Sequence, residues 1–112
     1  MAAFAIPVVP SRIEAWKQWT RELQTTRKAE FEEFNRRMGL SKHKSWLMQT
    51  PQGPLAVVLH EGSGEATFLS KLATSDNPFD VWFRNSISDF HGVDLTKPMP
   101  AMPEPFLTWE KD

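Results

Sequence analysis

Three histidines are the side chains of this 112-residue chain best suited to acid–base chemistry, because the chain has no cysteine. His91 stands at the predicted end of an aromatic helix, and Asp94 follows three residues later. The negative end of the helix dipole favours the charged form of a histidine in that position, and a neighbouring carboxylate can orient its ring. We therefore take His91 and Asp94 as candidate catalytic residues. The alternative is that His91 only caps the helix.

The other two histidines, His43 and His60, lie on segments that are predicted to pair as strands. The sequence leaves their mutual register open. His60 and Glu61 do not begin the zinc motif H-E-x-x-H, because the residue four positions after His60 is Gly64. We therefore expect hydrogen-bonded or solvated histidines, no metal site and no bound cofactor.

The chain carries five tryptophans and eight phenylalanines. These rings could surround a small aromatic ligand, or they could pack a dense core and a dimer interface. Arginines also occur beside apolar residues, where each needs an anionic ligand, an acidic residue of the fold or access to water. One is Arg84, directly after two aromatic residues, and another is Arg27, within an apolar helix stripe. The candidate substrate-binding residues are Trp46, His60, Trp82, Phe83 and Arg84.

The charge balance excludes some classes of partner. Lysines and arginines number 13 against 14 acidic residues, so a general nucleic-acid binder, which needs a basic surplus, is not expected. No apolar run approaches the roughly 20 residues of a membrane helix. The apolar N-terminal segment has no basic residue before Arg12, unlike a signal peptide. We expect a cytoplasmic protein with one domain over residues 1–112.

Two helices have clear sequence signals. Ser11 and Glu14 have the spacing of a capping box, which predicts one long helix over residues 12–38 that ends at Gly39. A short helix is predicted near residues 64–73. Asn77 followed by proline then predicts the start of an aromatic helix that ends at Gly92.

Four strands complete the predicted fold. The second and third of these strands are predicted to pair as a hairpin, joined by the turn Pro51–Pro54. The order of elements is β-α-β-β-α(α)-β, which is the ferredoxin-like plan of a four-stranded antiparallel sheet with helices on one face. The predicted class is therefore α+β. The predicted strands are residues 3–9, 43–50, 55–61 and 106–109.

The third predicted strand is apolar on both faces from Leu55 to Leu59, whereas a half-exposed strand alternates apolar with polar residues. Its outer face should therefore be covered. The simplest cover is a second copy, and two sheets packed face to face make a dimeric α+β barrel. We expect a homodimer through the open sheet face, with the tail after Pro98 reaching across the partner.

Three segments resemble a group of small, uncharacterised bacterial proteins: residues 46–61, 76–84 and 91–94. That group is similar to members of the dimeric α/β-barrel, ferredoxin-like superfamily, which includes cofactor-independent antibiotic-biosynthesis-type monooxygenases, haem-degrading enzymes and small isomerases. The resemblance implies the fold but supplies no functional residues. It implies a small-molecule-binding dimeric barrel, with monooxygenase-like catalysis as one form of that function. The alternative is a non-catalytic interaction protein whose aromatic residues only pack.

Overall fold

The structure, a computed structural model, describes residues 1–97 and 103–111. This part of the chain contains both strands and helices, as the sequence predicts for a mixed α+β fold. None of the helices in this part of the chain is long and apolar enough to cross a membrane. The elements are β1 (Ala2–Pro7), a 3-10 turn (Pro10–Arg12), α1 (Ile13–Gln24), α2 (Lys28–Arg37), β2 (Lys42–Thr50), β3 (Gly53–Glu61), α3 (Phe68–Thr74) and α4 (Pro78–His91).

The three strands form one antiparallel sheet in the order β1-β3-β2. The predicted hairpin between β2 and β3 is confirmed, and its turn pairs Thr50 with Gly53. β1 lies at an edge, which suits the proline at its end because that residue has no amide hydrogen for a ladder. Side chains of successive residues alternate between the two faces, so each strand has an inner face towards the helices and an outer face.

The predicted fourth strand is not formed in the part of the chain that the structure describes. Residues 103–111 have no regular secondary structure. Phe106, Leu107 and Trp109 are 96%, 91% and 81% exposed, so no neighbouring strand covers them. A strand requires a hydrogen-bonded partner, and this segment has none within residues 1–97 and 103–111. The sheet therefore has three strands rather than four.

The predicted long helix is divided into α1 and α2. The break falls at two consecutive threonines, whose β-branched side chains disfavour a helix. Thr25 leaves helical geometry with φ −132° and ψ −88°. Arg27 therefore lies at the start of α2 instead of within a continuous stripe, and its guanidinium carbon lies 4.0 Å from the centre of the Trp82 ring. The interrupted stripe thus marks a helix boundary.

The helix ends are confirmed for α4 and corrected for α1. Asn77 accepts a hydrogen bond from the Phe79 amide at 2.9 Å, and Gly92 ends the helix with φ +65°. The predicted capping box at Ser11 does not form, because Pro10 starts a 3-10 turn that contains Ser11. No side chain caps the start of α1.

The helices pack on the inner face of the sheet. The larger group of buried side chains joins the end of α1 to α2, α3 and α4, and the smaller one joins β3, α1, the end of α4 and the residue that follows β1. The larger group contains Leu23, Phe34, Met38, Leu40, Phe68, Leu72, Phe79, Phe83 and Leu95. The smaller group contains Val8, Trp16, Ala56 and Phe90.

One buried ion pair joins α2 to α4. The Asp80 carboxylate is fully buried and accepts hydrogen bonds from both terminal nitrogens of Arg37, at 2.8 and 2.9 Å. The Ser75 hydroxyl donates a third bond at 2.6 Å. Burial alone would raise the pKa of Asp80, but the bonds from Arg37 and Ser75 outweigh it, so the pKa is lowered. The carboxylate is therefore charged, and it depends on Arg37.

Replacement of Arg37 should destabilise the fold. In Arg37→Gln the buried Asp80 carboxylate keeps only the hydrogen bond from Ser75, and we expect the free energy of unfolding to fall by about 3 kcal/mol. Urea unfolding at pH 7 measures this. Arg36→Gln is the matched control, because Arg36 is 69% exposed and lies 3.7 Å from its nearest carboxylate oxygen; its change should stay within about 0.5 kcal/mol. Equal losses in the two variants would contradict the role given to the buried pair.

Candidate functional site

A cavity of about 410 Å³ lies between the inner face of the sheet and the helices α1, α3 and α4. We call it the central cavity. All three histidines of the chain line it, and its remaining walls are mostly apolar. Its aromatic walls are Phe4, Trp16, Trp19, Phe68 and Phe83.

The strand register brings His43 and His60 together. They occupy opposed positions on β2 and β3, on the inner face. Their ring centroids are 4.5 Å apart and the rings meet edge to face, at 88°. His60 also packs on Phe68, with ring centroids 4.3 Å apart. The pair therefore forms part of an aromatic cluster and not a solvated surface.

Both rings of this pair are neutral in the folded protein near pH 7. Burial, together with a smaller contribution from the neighbouring His60, lowers the pKa of His43 to about 3. Burial lowers the pKa of His60 to about 4, although the Glu65 charge acts in the opposite direction. His43 Nδ1 lies 2.9 Å from Asn35 Oδ1. His60 is 2% exposed, and its Nε2 has no hydrogen-bond partner among the described residues.

His91 is also less easily protonated than its place at a helix end suggests. Burial lowers its pKa, and the hydrogen bond to the Pro7 carbonyl only partly offsets this. A carbonyl can only accept, so His91 Nδ1 donates this bond, at 2.8 Å, and Nε2 carries the free electron pair of the neutral ring. Desolvation therefore outweighs the helix dipole here, contrary to the expectation from sequence.

Asp94 and His91 are not hydrogen-bonded to each other, contrary to the arrangement expected for a catalytic pair. The exposed Asp94 carboxylate accepts bonds from the amide and hydroxyl of Thr96, at 2.9 and 2.6 Å. These bonds lower the pKa of Asp94. The group that orients the His91 ring is the Pro7 carbonyl at the end of β1.

The predicted substrate-binding residues are divided among several places. His60 and Phe83 line the central cavity together with His91. Trp46 lies on the outer face of the sheet opposite Val57, and it is 52% exposed. Trp82 packs against Trp19, with ring centroids 6.2 Å apart, outside the walls of the central cavity.

Arg84 has a structural partner. Its terminal nitrogen Nη1 donates to the carbonyls of Leu72, Ala73 and Ser75, at 2.7, 3.3 and 2.9 Å. These carbonyls lie at and just beyond the C-terminal end of α3, where helical acceptors lack internal donors. The arginine beside the aromatic pair therefore satisfies the backbone of the fold.

Among the cavity residues that were not predicted as site residues, His43 and Trp19 bear most directly on what the cavity can bind. The signal for His43 lay in the turn. A two-residue turn at Pro51 and Gln52 pairs residue 50 with residue 53, and the same register places residue 43 opposite residue 60. For Trp19 no signal separated it from core aromatics. Its Nε1 is buried without a partner among the described residues.

No group of three or more histidine, cysteine or acidic side chains within residues 1–97 and 103–111 is placed to hold a metal ion. Comparison with known proteins adds no identification: no family model, no curated protein and no solved structure matches the chain. The function must therefore be inferred from the cavity itself.

Acid should destabilise the protein through its buried histidines. Unfolding returns His43 and His60 from pKa values of about 3 and 4 to about 6.5, so the unfolded chain binds more protons below pH 6.5. The stability is complete above that pH and is lost as the pH falls towards 4. Each histidine contributes a slope of up to about 1.4 kcal/mol per pH unit.

Urea unfolding between about pH 7.5 and 5 measures this slope. His43→Gln or His60→Gln should reduce it by up to about 1.4 kcal/mol per pH unit, because one titrating group is removed. A free energy of unfolding that stays level from pH 7 to 5 would show that the two rings are not buried and neutral.

Proposed function

We propose that this protein binds a small, mainly apolar molecule in the central cavity and holds it by one or two hydrogen bonds to neutral ring nitrogens. The observation that carries the proposal is His60, whose side chain lines an apolar, aromatic-walled cavity and whose buried Nε2 has no partner among the described residues. The volume of the cavity, about 410 Å³, lies within the usual range of ligand sites.

The unpartnered nitrogens define the polar requirement of the ligand. A buried polar atom without a hydrogen bond costs about 1–3 kcal/mol, and a ligand that supplies the missing bond removes this cost. The indole N–H of Trp19 can only donate, whereas the neutral imidazole of His60 donates or accepts at Nε2 according to its tautomer. A hydroxyl or carbonyl group on the ligand satisfies these atoms.

The remaining walls of the central cavity disfavour a charged ligand. Because burial keeps both imidazoles of the pair neutral, they offer no cation to balance an anionic ligand. A charged group in an apolar cavity loses its hydration without compensation. Aromatic walls favour flat rings, which stack edge to face or with an offset. We therefore infer a neutral aromatic ligand with a hydroxyl or carbonyl group.

The acidity of the histidines favours binding over base catalysis at His60. A phenol with a pKa near 10 would have to give its proton to an imidazole with a pKa of about 4, a difference of about 8 kcal/mol. In the monooxygenase-like activity implied by the family resemblance, a base at this site would more reasonably be His91, whose ring is held on Pro7. The non-catalytic alternative, in which the rings only pack, predicts no ligand.

We also propose that a second copy covers the outer face of the sheet. This face is apolar along β3, from Leu55 through Val57 to Leu59, and all three side chains are partly exposed. Beside them on β2, Trp46 and Met48 are 52% and 53% exposed. A continuous apolar surface of this kind on a small domain is typical of an interface. Two such faces are self-complementary, which fits a symmetric homodimer.

Filling the central cavity should weaken ligand binding. Val58 lines the central cavity, and its neighbour Val57 points to the outer face. We expect Val58→Phe to weaken the binding of 2-naphthol by at least about tenfold, which corresponds to about 1.4 kcal/mol. Val57→Phe is the matched control and should bind as the unaltered protein does. Calorimetric titration measures both, and equal binding by the two variants would place the ligand elsewhere.

A charge on the outer face should prevent association. We expect the protein to have the mass of two chains in light scattering at micromolar concentration, and Trp46→Glu to have the mass of one. Lys17→Glu on α1, away from this face, is the control and should remain a dimer. A monomeric unaltered protein would contradict the proposed interface.

A further inference from the structure

We propose that residues 106–109 of one copy pair, as an antiparallel strand, with the free edge of β2 in a second copy. This contact differs from the proposed outer-face interface, because it uses the backbone at the edge of the sheet and side chains that face the helices. It goes beyond the proposed function in naming the segment that extends the sheet and the place where it binds.

The segment has the residues of a strand but no partner among the described residues. Phe106, Leu107 and Trp109 are 96%, 91% and 81% exposed, and residues 103–111 form no regular secondary structure. Three large apolar side chains so close together in water are an unfavourable arrangement, which burial against another surface removes. The segment is therefore suited to pairing with another chain.

The β2 strand offers a long free edge for this pairing. It has nine residues and pairs only with β3 among the described residues. Its two-residue turn makes Thr50 and Gly53 a hydrogen-bonded pair, so alternate residues from 43 to 49 direct their backbone groups to the free edge. The Pro54 carbonyl, opposite residue 49, accordingly accepts the Val8 amide on the far side, at 3.0 Å. A free edge of this kind can accept an added strand.

A hollow of about 390 Å³ lies beside this edge, on the side of the helices. We call it the edge groove. All of its sheet residues belong to β2, and α1 contributes the facing wall. A strand added beyond β2 would place its inward side chains over this groove. The apolar walls of the edge groove are Trp19, Leu23, Phe31 and Phe83.

One antiparallel register satisfies the segment and the edge together. It places Trp109 opposite Ser45 and Leu107 opposite Leu47. Both added side chains then point inward, because Ser45 lines the central cavity and Leu47 packs on the inner core. Trp109 enters the edge groove, which Ser45 also lines. Pro105 has no amide for the next step of the ladder, so the added strand begins at residue 106.

The charges of the two sides are complementary in this register. It places the exposed Glu110 opposite Lys44, and opposite charges at such positions stabilise a strand pair. Lys44 is exposed and forms no salt bridge with the described residues. Lys42, by contrast, already pairs with Glu61 at 3.3 Å. A parallel strand would carry Glu110 to the other end of β2, away from both lysines.

The added strand comes from a second copy because the segment leaves its own fold at the opposite edge of the sheet. Residues 103–105 lie beside the first residues of β1, and β3 separates β1 from β2. In two stacked sheets related by a two-fold axis parallel to the strands, the β1 edge of one copy lies over the β2 edge of the other. The edge pairing and the outer-face contact can therefore occur in one dimer.

Amide hydrogen exchange of the full chain, followed by NMR, tests the pairing. The amides of Ser45 and Leu47 donate to the added strand in this register, so they should exchange slowly. Trp109→Ser should make their exchange at least about tenfold faster, because the ring that fills the edge groove is lost. Thr108→Ser is the matched control. Its side chain faces away from the groove, so these rates should change by less than about twofold.

A mixing experiment shows which copy supplies the strand. Nitrogen-15-labelled Trp109→Ser protein is mixed with an excess of unlabelled, unaltered protein. Slow exchange of the Ser45 and Leu47 amides should return in the labelled chain, because its β2 edge receives the intact segment of an unlabelled copy. If slow exchange does not return, the segment does not come from a second copy and the inference is overturned.

The results separate this inference from the proposed outer-face interface. If the unaltered protein has the mass of two chains but its Ser45 and Leu47 amides exchange as fast as in Trp109→Ser, the added strand is overturned and the outer-face interface stands. A monomeric unaltered protein would overturn both contacts. Because Trp109 is exposed within its own chain, Trp109→Ser should leave the fold of each copy intact.

Discussion

The pairing of β2 with β3 is the constraint on which the rest of the structure depends. The turn that pairs Thr50 with Gly53 determines which side chains of the hairpin share a face. It places His43 opposite His60 beneath the helices and directs Trp46 to the outer face. A shift of β2 by one residue would exchange its two faces, so that His43 would lie outside and Trp46 inside. The cavity and the apolar outer surface are thus two consequences of one register.

Burial converts the histidines from acid–base groups into neutral hydrogen-bonding groups. Helices packed on the inner face remove water from His43 and His60, which lowers their pKa values to about 3 and 4. The buried Asp80, by contrast, keeps its charge because Arg37 and Ser75 bond to it. The two kinds of buried group differ in their hydrogen-bond partners. The Asp80 carboxylate has partners within the fold and so joins α2 to α4. The neutral His60 ring has no partner for Nε2 among the described residues, so this atom is available to a ligand.

Much of the fold could be predicted from local sequence. Asn77 before a proline and Gly92 after the last turn mark the ends of α4, because caps require those residue types. The hairpin of β2 and β3 followed from two strand patterns separated by a turn with prolines. The helix break at Thr25 could not be predicted, because the apolar spacing on both sides suits one continuous helix. The strand predicted at 106–109 is not formed, because a strand depends on a pairing partner and not only on its own residues.

The site was less predictable, for the same reason. His60, Phe83 and His91 were predicted and meet at one cavity, but His43 joins them only through the register. Arg84 resembled a ligand-binding arginine in the sequence because its partners, three backbone carbonyls near the end of α3, are invisible there. Trp46 is apolar and adjacent to the site in sequence but lies on the opposite face. Residue types identify candidates, and the packing decides which of them meet.

The most direct test of this account is a nitrogen-15 NMR titration of the imidazole rings with and without 2-naphthol. Neutral His43 and His60 rings down to about pH 5, with a shift of the His60 Nε2 resonance when the compound is added, are the predicted result. Ordinary titration of both rings near pH 6.5, with no response to the compound, would contradict the claim that a buried neutral histidine pair forms a ligand site.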